Sequence, residues 1–164
     1  MEIIDKKSVL WNYLPVEIRG LFVDGETLLS HVEHVTSLIT DYSYLVFPFS
    51  KGYEGFLKKF FLDMGFIREN EYYSDDIRIG RILNPHYVHE HTNVYKSLGQ
   101  HQKGDAVLSM KLWDVWKKGR NEVFHYFPHN FKKLTYAEAL KIIQEIAAVM
   151  SELLLKCDLI QSLP

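Results

Sequence analysis

With 164 residues, 19.3 kDa and a formal net charge of −2, and with 47% hydrophobic and 14% aromatic residues, the chain has the make-up of one globular domain over 1–164 rather than of a disordered segment. Its single cysteine, Cys157, excludes an internal disulfide and a multi-cysteine zinc cage and suits a reducing compartment, so a cytoplasmic location is expected. No window reaches the roughly 18 apolar residues of a membrane span, and the start, MEIIDKKSVLW, has no apolar run behind its charges, which predicts a soluble protein with no membrane partner.

From Asp24 to Val46, Leu28, Leu29, Val32, Val35, Leu38, Ile39 and Leu45 recur at three-to-four spacing, which predicts a helix capped by Asp24 or Thr27. Pro48 is expected to break the chain there, and Ser50 to open a second helix. Its stripe of Tyr53, Phe56, Leu57, Phe60, Phe61 and Met64 should be largely buried and should end before Gly65. Between Gly65 and Gly80 the apolar residues scatter, and the His-rich run Asn84 to Gly104 carries Pro85, Asn93, Gly99 and Gly104, so this stretch is expected to be mainly loop. Asp105 reads as the N-cap of a helix with Leu108, Leu112, Val115 and Trp116 on one stripe, running through Arg120 to about His125 before Pro128 ends it. Thr135-Tyr-Ala-Glu138 is a capping-box pattern ahead of a long helix to about Cys157. With no convincing strand pair, the expected fold class is all-α, a bundle of about four or five helices.

The charges are unevenly placed. Residues 1–50 hold three basic and seven acidic side chains, a balance of −4, whereas residues 111–133 hold six basic and two acidic ones, a balance of +4. That basic stretch is compatible with a phosphate ligand, although a solvated helix face is the plainer account. Within it, Gly119-Arg120-Asn121-Glu122-Val123-Phe124-His125 sets a guanidinium, able to hold a phosphate with forked donors, near an imidazole able to exchange a proton at neutral pH. Such a pair suits phosphodiester cleavage. On a regular helix, however, residues five apart point about 140° away from each other. For Arg120 and His125 to reach one phosphate, the helix must loosen near Phe124 or the site must be built from two copies across a symmetric interface. Asn121 is four residues before His125 and shares its face, so it can orient the imidazole or bind substrate.

This Arg-polar-x3-His pattern, placed late in an all-α domain before a final long helix, resembles the signature of the HEPN ribonuclease superfamily. More narrowly, Ser50-Lys51-Gly52-Tyr53-Glu54-Gly55-Phe56-Leu57-Lys58-Lys59, with Gly119-Arg120-Asn121 and Phe124-His125-Tyr126, is similar to the HEPN domain of ribonuclease LS type toxins, over about Pro48 to the C terminus. Toxins of that type carry additional N-terminal domains. The resemblance implies a metal-independent endoribonuclease without cofactor, acting on RNA as a homodimer whose two Arg/His motifs meet between protomers. An antitoxin protein is a further implied partner. In that picture His125 is general base toward the ribose 2′-hydroxyl or acid toward the leaving 5′-oxygen, Arg120 stabilises charge on the phosphate, and the products are a 2′,3′-cyclic phosphate and a 5′-hydroxyl. Glu54 matches an acidic position of the family on an earlier helix. Lys51, one turn before it, is a candidate phosphate ligand, although Glu54 can equally pair with Lys51 or Lys58 along its helix.

Other readings compete. His86, His89, His91 and His101 could ligate zinc or nickel, but their spacing matches no zinc pattern and no metal is expected; exposed loop histidines are the plainer account. His129 is a candidate second phosphate contact, though Pro128-His129-Asn130 also reads as a turn. Tyr126, Phe127 and Phe131 interleave with Lys132 and Lys133, a composition suited to stacking RNA bases, while core packing is the commoner fate of aromatics. Trp113 and Trp116 are expected to fill the bundle or a dimer interface. A second functional class is a non-catalytic module that binds a protein or nucleotide and in which the Arg/His pair is structural.

Overall fold

The computed structural model describes residues 1–32, 39–74, 76–90, 93–100 and 106–157, and among these the regular structure is helical, with no strand. The all-α class expected from the sequence is what the chain adopts. None of the described helices is long and apolar enough to cross a membrane.

Helix α1 (Val9–Tyr13) is a short turn whose N-cap Ser8 accepts the Trp11 N–H. Helix α2 (Val16–Val32) follows directly, the Pro15 carbonyl taking the N–H groups of Ile18 and Arg19. It therefore starts well before Asp24, and neither expected cap caps it: Asp24 and Thr27 are interior, and the Thr27 hydroxyl donates back to the Val23 carbonyl. Nor does one helix continue to Val46. Residues 39–42 are not helical, and Ser43–Val46 forms a separate 3₁₀ turn; Val35 and Leu38 lie outside the described residues. The Asp41 carboxylate restarts the chain by accepting both the backbone N–H and the hydroxyl of Ser43.

Helix α3 (Phe47–Asp63) begins before Ser50. Pro48 sits in its first turn, where its missing N–H has no helical partner to lose, so it opens the helix rather than breaking the chain. Gly65, at φ 69°, ends the segment. The expected loop then contains three short helices, α4 (Glu69–Tyr72), α5 (Ile79–Ile82) and α6 (Val94–Gln100), and a 3₁₀ turn at Pro85–Tyr87. Helices of four to seven residues are too brief to display a hydrophobic period. Helix α7 (Ala106–Trp116) passes without interruption into a π-helical segment, Lys117–Glu122; the expected cap Asp105 lies outside the described residues. Helix α8 (Tyr136–Lys156) carries the expected capping box, with Glu138 N–H on the Thr135 hydroxyl oxygen and Thr135 N–H on the Glu138 carboxylate. The described chain thus has more helices than the four or five expected, the surplus being the short ones.

Helix α3 is the centre of the molecule. Phe49, Phe56, Leu57, Phe60 and Phe61 are fully buried, and α8 lays Ala139, Ile143, Ile146, Met150 and Leu153 into the same core. The crossing of α2 and α3 is reciprocal. A Cβ on Gly25 would come within 2.5 Å of the Phe49 ring, and one on Gly52 within 2.6 Å of the Phe22 ring, so each phenyl occupies the space a side chain would take on the opposite helix. The two rings meet edge to face at 5.6 Å. This close packing fixes α3, and with it the polar residues on its far side.

Candidate active site

The site is built where α7 changes character. At Gly119 the segment runs against α8, where a Cβ would approach the Ile146 Cδ1 to 3.2 Å, and the hydroxyl of the buried Ser50 on α3 donates to the Gly119 carbonyl. A π-helical turn closes i→i+5, one residue wider than an α-turn. The 140° separation expected of a regular helix therefore does not apply: the segment widens over Lys117–Glu122, the chain leaves the helix at Val123, and Arg120 and His125 line the same open cleft of one chain. This is the loosening that the sequence required as one of two alternatives, located one turn earlier than Phe124.

The cleft has a volume of about 1060 Å³. One wall is α3, with Glu54 and Lys58; another is Trp113 and Trp116 of α7 with Arg120, Asn121, Phe124 and His125; the third is residues 77–87, with Arg78, Arg81, Asn84 and Tyr87. The Glu54 carboxylate lies 3.7 Å from Arg120 Nε, and the guanidinium sits 4.9 Å from the centre of the Phe124 ring. These contacts orient Arg120 while leaving 42% of its side chain exposed. Lys58 and Arg78 have no ion-pair partner among the described residues. Arg81 is engaged by Glu90 through Nε and Nη2, at 3.0 and 2.9 Å, and its donated hydrogen bonds hold that carboxyl below the usual carboxylate range. With Arg81 paired to Glu90 and Arg120 to Glu54, Lys58 and Arg78 leave the lining electropositive, which favours an anionic ligand.

Five of the six residues singled out from the sequence come together here. Arg120, His125, Glu54 and Asn121 line the cleft, and Lys51 lines a smaller adjoining pocket with Glu54 and Arg120. Glu54 pairs with Arg120 rather than with Lys51 or Lys58. His129 is not brought in. It is exposed in the 3₁₀ turn Pro128–Asn130, and both it and Asn130 take left-handed backbone, at φ 60° and 50°. The Asn130 amide is held by Asp41 at 2.9 Å, which turns this loop away from the cleft and toward the start of α3.

The basic stretch of residues 111–133 is largely neutralised by carboxylates. Lys111 meets Glu152 at 2.9 Å and Lys118 meets Glu145 at 3.1 Å on α8, while Lys117 and Lys132 meet Asp114 and Glu122. Of its cations, only Arg120 lines the cleft. The other cationic side chains on the cleft are Lys58, which the sequence offers only as a possible partner of Glu54, and Arg78 and Arg81, for which it offers no role. The aromatic run also lies elsewhere: Tyr126 and Phe131 are exposed, Phe127 and Phe131 pair edge to face at 5.3 Å, and none of the three lines the cleft. Trp116 fills the bundle as expected, packed on Tyr53, but Trp113 stands on the cleft wall. The spacing Trp113, Trp116, Arg120 is i, i+3, i+7, one helix face, and was a signal available in the sequence. His86 and His89 are exposed, His91 and His101 lie outside the described residues, and no group of three or more metal-binding side chains occurs among the described residues.

Fold and site together define an all-α chain with an open, electropositive cleft carrying an arginine, a histidine and a glutamate. Compared with known proteins, the chain matches no family model, and no curated protein and no solved structure matches it.

Proposed function

We propose that the chain is a metal-independent endoribonuclease of the HEPN type, working without a cofactor, with Arg120, His125 and Glu54 as its catalytic residues. The observation that carries the reading is the placement of Arg120 and His125 in one cationic cleft despite their five-residue spacing. Arg120 binds the scissile phosphate and stabilises the charge that builds on it. His125 takes the proton of the ribose 2′-hydroxyl as that oxygen bonds to phosphorus and the bond to the 5′-oxygen breaks. The departing oxygen needs a proton donor, and a second copy supplies one as the partner's His125, which is the composite dimer site of the resemblance. The products are a 2′,3′-cyclic phosphate and a 5′-hydroxyl. Glu54 aligns the guanidinium, Asn121 and Lys51 bind substrate, and His129 contacts RNA only if its loop swings inward.

An exposed apolar groove beside the cleft supports pairing of two copies: Tyr44, Phe47, Val123 and Phe124 line it, and Phe47 is 52% exposed. The setting in this reading is toxin–antitoxin or antiviral defence in the cytoplasm, with an antitoxin protein as a further partner. One observation favours the second reading, a non-catalytic protein- or nucleotide-binding module: Arg120 is already held by Glu54 and by the Phe124 ring. Incubation of the purified protein with single-stranded RNA in EDTA separates the two. The ribonuclease reading expects cyclic-phosphate ends that disappear in Arg120→Ala and in His125→Ala while the circular dichroism stays unchanged. Cleavage that survives in both variants, or none in the parent protein, sinks it.

A further inference from the structure

We propose that the part of the cleft between α7 and residues 77–87 is a nucleobase subsite: the Trp113 indole stacks one unpaired base, the Asn84 amide donates to that base's edge, and Arg78 holds the adjoining phosphate. The identity of the ligand as single-stranded RNA rests on the ribonuclease reading; the subsite itself rests on separate observations.

Size is the first. A cleft of about 1060 Å³ sits at the upper end of the roughly 300–1,000 Å³ of small-molecule sites, more room than a phosphate and its ribose need beside Arg120. The second is the state of its aromatic walls. Trp116 is buried and packed on Tyr53, and the Tyr87 ring is covered by the Arg81 guanidinium at 5.7 Å. Trp113 is half-buried on the cleft wall, and no ring or cation is stacked on it among the described residues. A half-buried indole packed on the core and bordering an electropositive channel is what single-strand binders use as a stacking platform. It stands seven residues before Arg120 on the same helical segment and borders the same cleft, where a nucleotide next to the scissile phosphate would lie.

Asn84 supplies the third observation. Its side-chain oxygen accepts the His86 N–H at 2.9 Å, and its carbonyl accepts from the side chain of the buried Asn93, also at 2.9 Å. The oxygen is thereby committed and the amide NH₂ is left to donate, so the subsite addresses an acceptor on a base edge. Arg78 borders the same space with no carboxylate partner among the described residues, free to serve as a phosphate anchor. A base stacked on Trp113 must be unpaired, so the cleft takes single strands in preference to duplex.

The test uses the full chain carrying His125→Ala, which prevents turnover, and measures by fluorescence anisotropy its affinity for a labelled RNA tetranucleotide and for a tetramer abasic at every position. The subsite predicts RNA binding at least fivefold tighter than the abasic chain. Trp113→Ala or Asn84→Ala, added singly, shrinks that ratio; Arg78→Ala weakens both ligands alike. Trp113→Phe, which keeps a ring in place, retains most of the ratio and guards against a folding defect. Equal affinity for RNA and abasic chain, or a ratio unmoved by Trp113→Ala and Asn84→Ala in folded protein, overturns the subsite. The two proposals fail separately. Base-dependent binding with no cleavage by the parent protein leaves the subsite standing and removes the ribonuclease reading, whereas Arg120- and His125-dependent cleavage with no base dependence does the reverse.

Discussion

The hydroxyl of Ser50 on α3 donates to the carbonyl of Gly119 at the point where α7 has widened into its π-helical turn. The bond ties the residue before Arg120 to the helix that carries Glu54, so one buried contact helps set the distance between Arg120 and Glu54. Ser50→Ala leaves a buried carbonyl unsatisfied, at a cost of about 1–3 kcal/mol. In urea unfolding the midpoint should fall with little change in slope. Because the Arg120 backbone is then less well held, the RNA cleavage rate constant should fall about tenfold or more with KM nearly unchanged. A stability loss without any rate loss would make Ser50 a packing residue alone.

The cleft and the basic stretch make opposite predictions about which lysines matter. Lys111 and Lys118 are occupied by Glu152 and Glu145 on α8, so Lys111→Ala and Lys118→Ala should leave cleavage within about twofold and stability within about 1 kcal/mol, the range of surface ion pairs. Lys58→Ala should weaken RNA binding several-fold and lower the slope of log affinity against log salt by about one. A larger effect from Lys111 than from Lys58 would move the RNA path from the cleft to the α7/α8 surface.

How far such features could be read without coordinates depends on whether they are local. The Thr135–Glu138 capping box and the long period of α8 are written in neighbouring residues and appear as expected. The α2 boundary is misread because Ile39 falls eleven residues after Leu28 and in phase with it, and periodicity cannot register the Asp41–Ser43 hydrogen bonds that restart the chain. The Arg120–His125 relation was half legible. The spacing shows that a regular helix fails, but the widening depends on Gly119 meeting Ser50 and Ile146, contacts 69 and 27 positions away along the chain. Arg78 and Arg81 carry no sign of a site in the sequence, and Trp113 reads there as a bundle or interface residue, because a cleft gathers residues from segments with no common period.

Gly52, inside the Lys-Gly-Tyr-Glu-Gly-Phe segment, is a packing residue before it is anything else. Its Cβ position is taken by the buried Phe22 ring, and no flexible side-chain end is available to yield. Gly52→Ala gains helix propensity of about 1 kcal/mol but forces Phe22 or the α2–α3 distance to shift, an overpacking cost of about 1–3 kcal/mol. The expected net result is a loss of up to about 2 kcal/mol in chemical unfolding. The double variant Gly52→Ala with Phe22→Leu should lose less than the sum of the two single changes, since the smaller side chain vacates the contested space. Strict additivity would place the strain somewhere other than this contact.

Asp41 gives the chain a defined acid sensitivity. Partial burial pushes its carboxyl upward, but the hydroxyl and N–H of Ser43, the Asn130 amide and the Leu134 N–H together outweigh that and bring it from its ordinary 3.8 down to about 2. A carboxyl lowered in the folded state contributes stability that is fully present above its unfolded value near 3.8 and is lost as pH falls through 2. Discounted for its partial exposure, the contribution is about 1 kcal/mol, and about half of it should be gone by pH 3. The same bonds hold the left-handed turn at His129 and Asn130 and the start of α8, a few residues after His125. Asp41→Asn should therefore be less stable than the parent protein in urea at pH 6, and the gap should close steadily between pH 4 and pH 2. A gap that stays constant over that range would mean that the loop is held by shape and not by the ionised carboxylate.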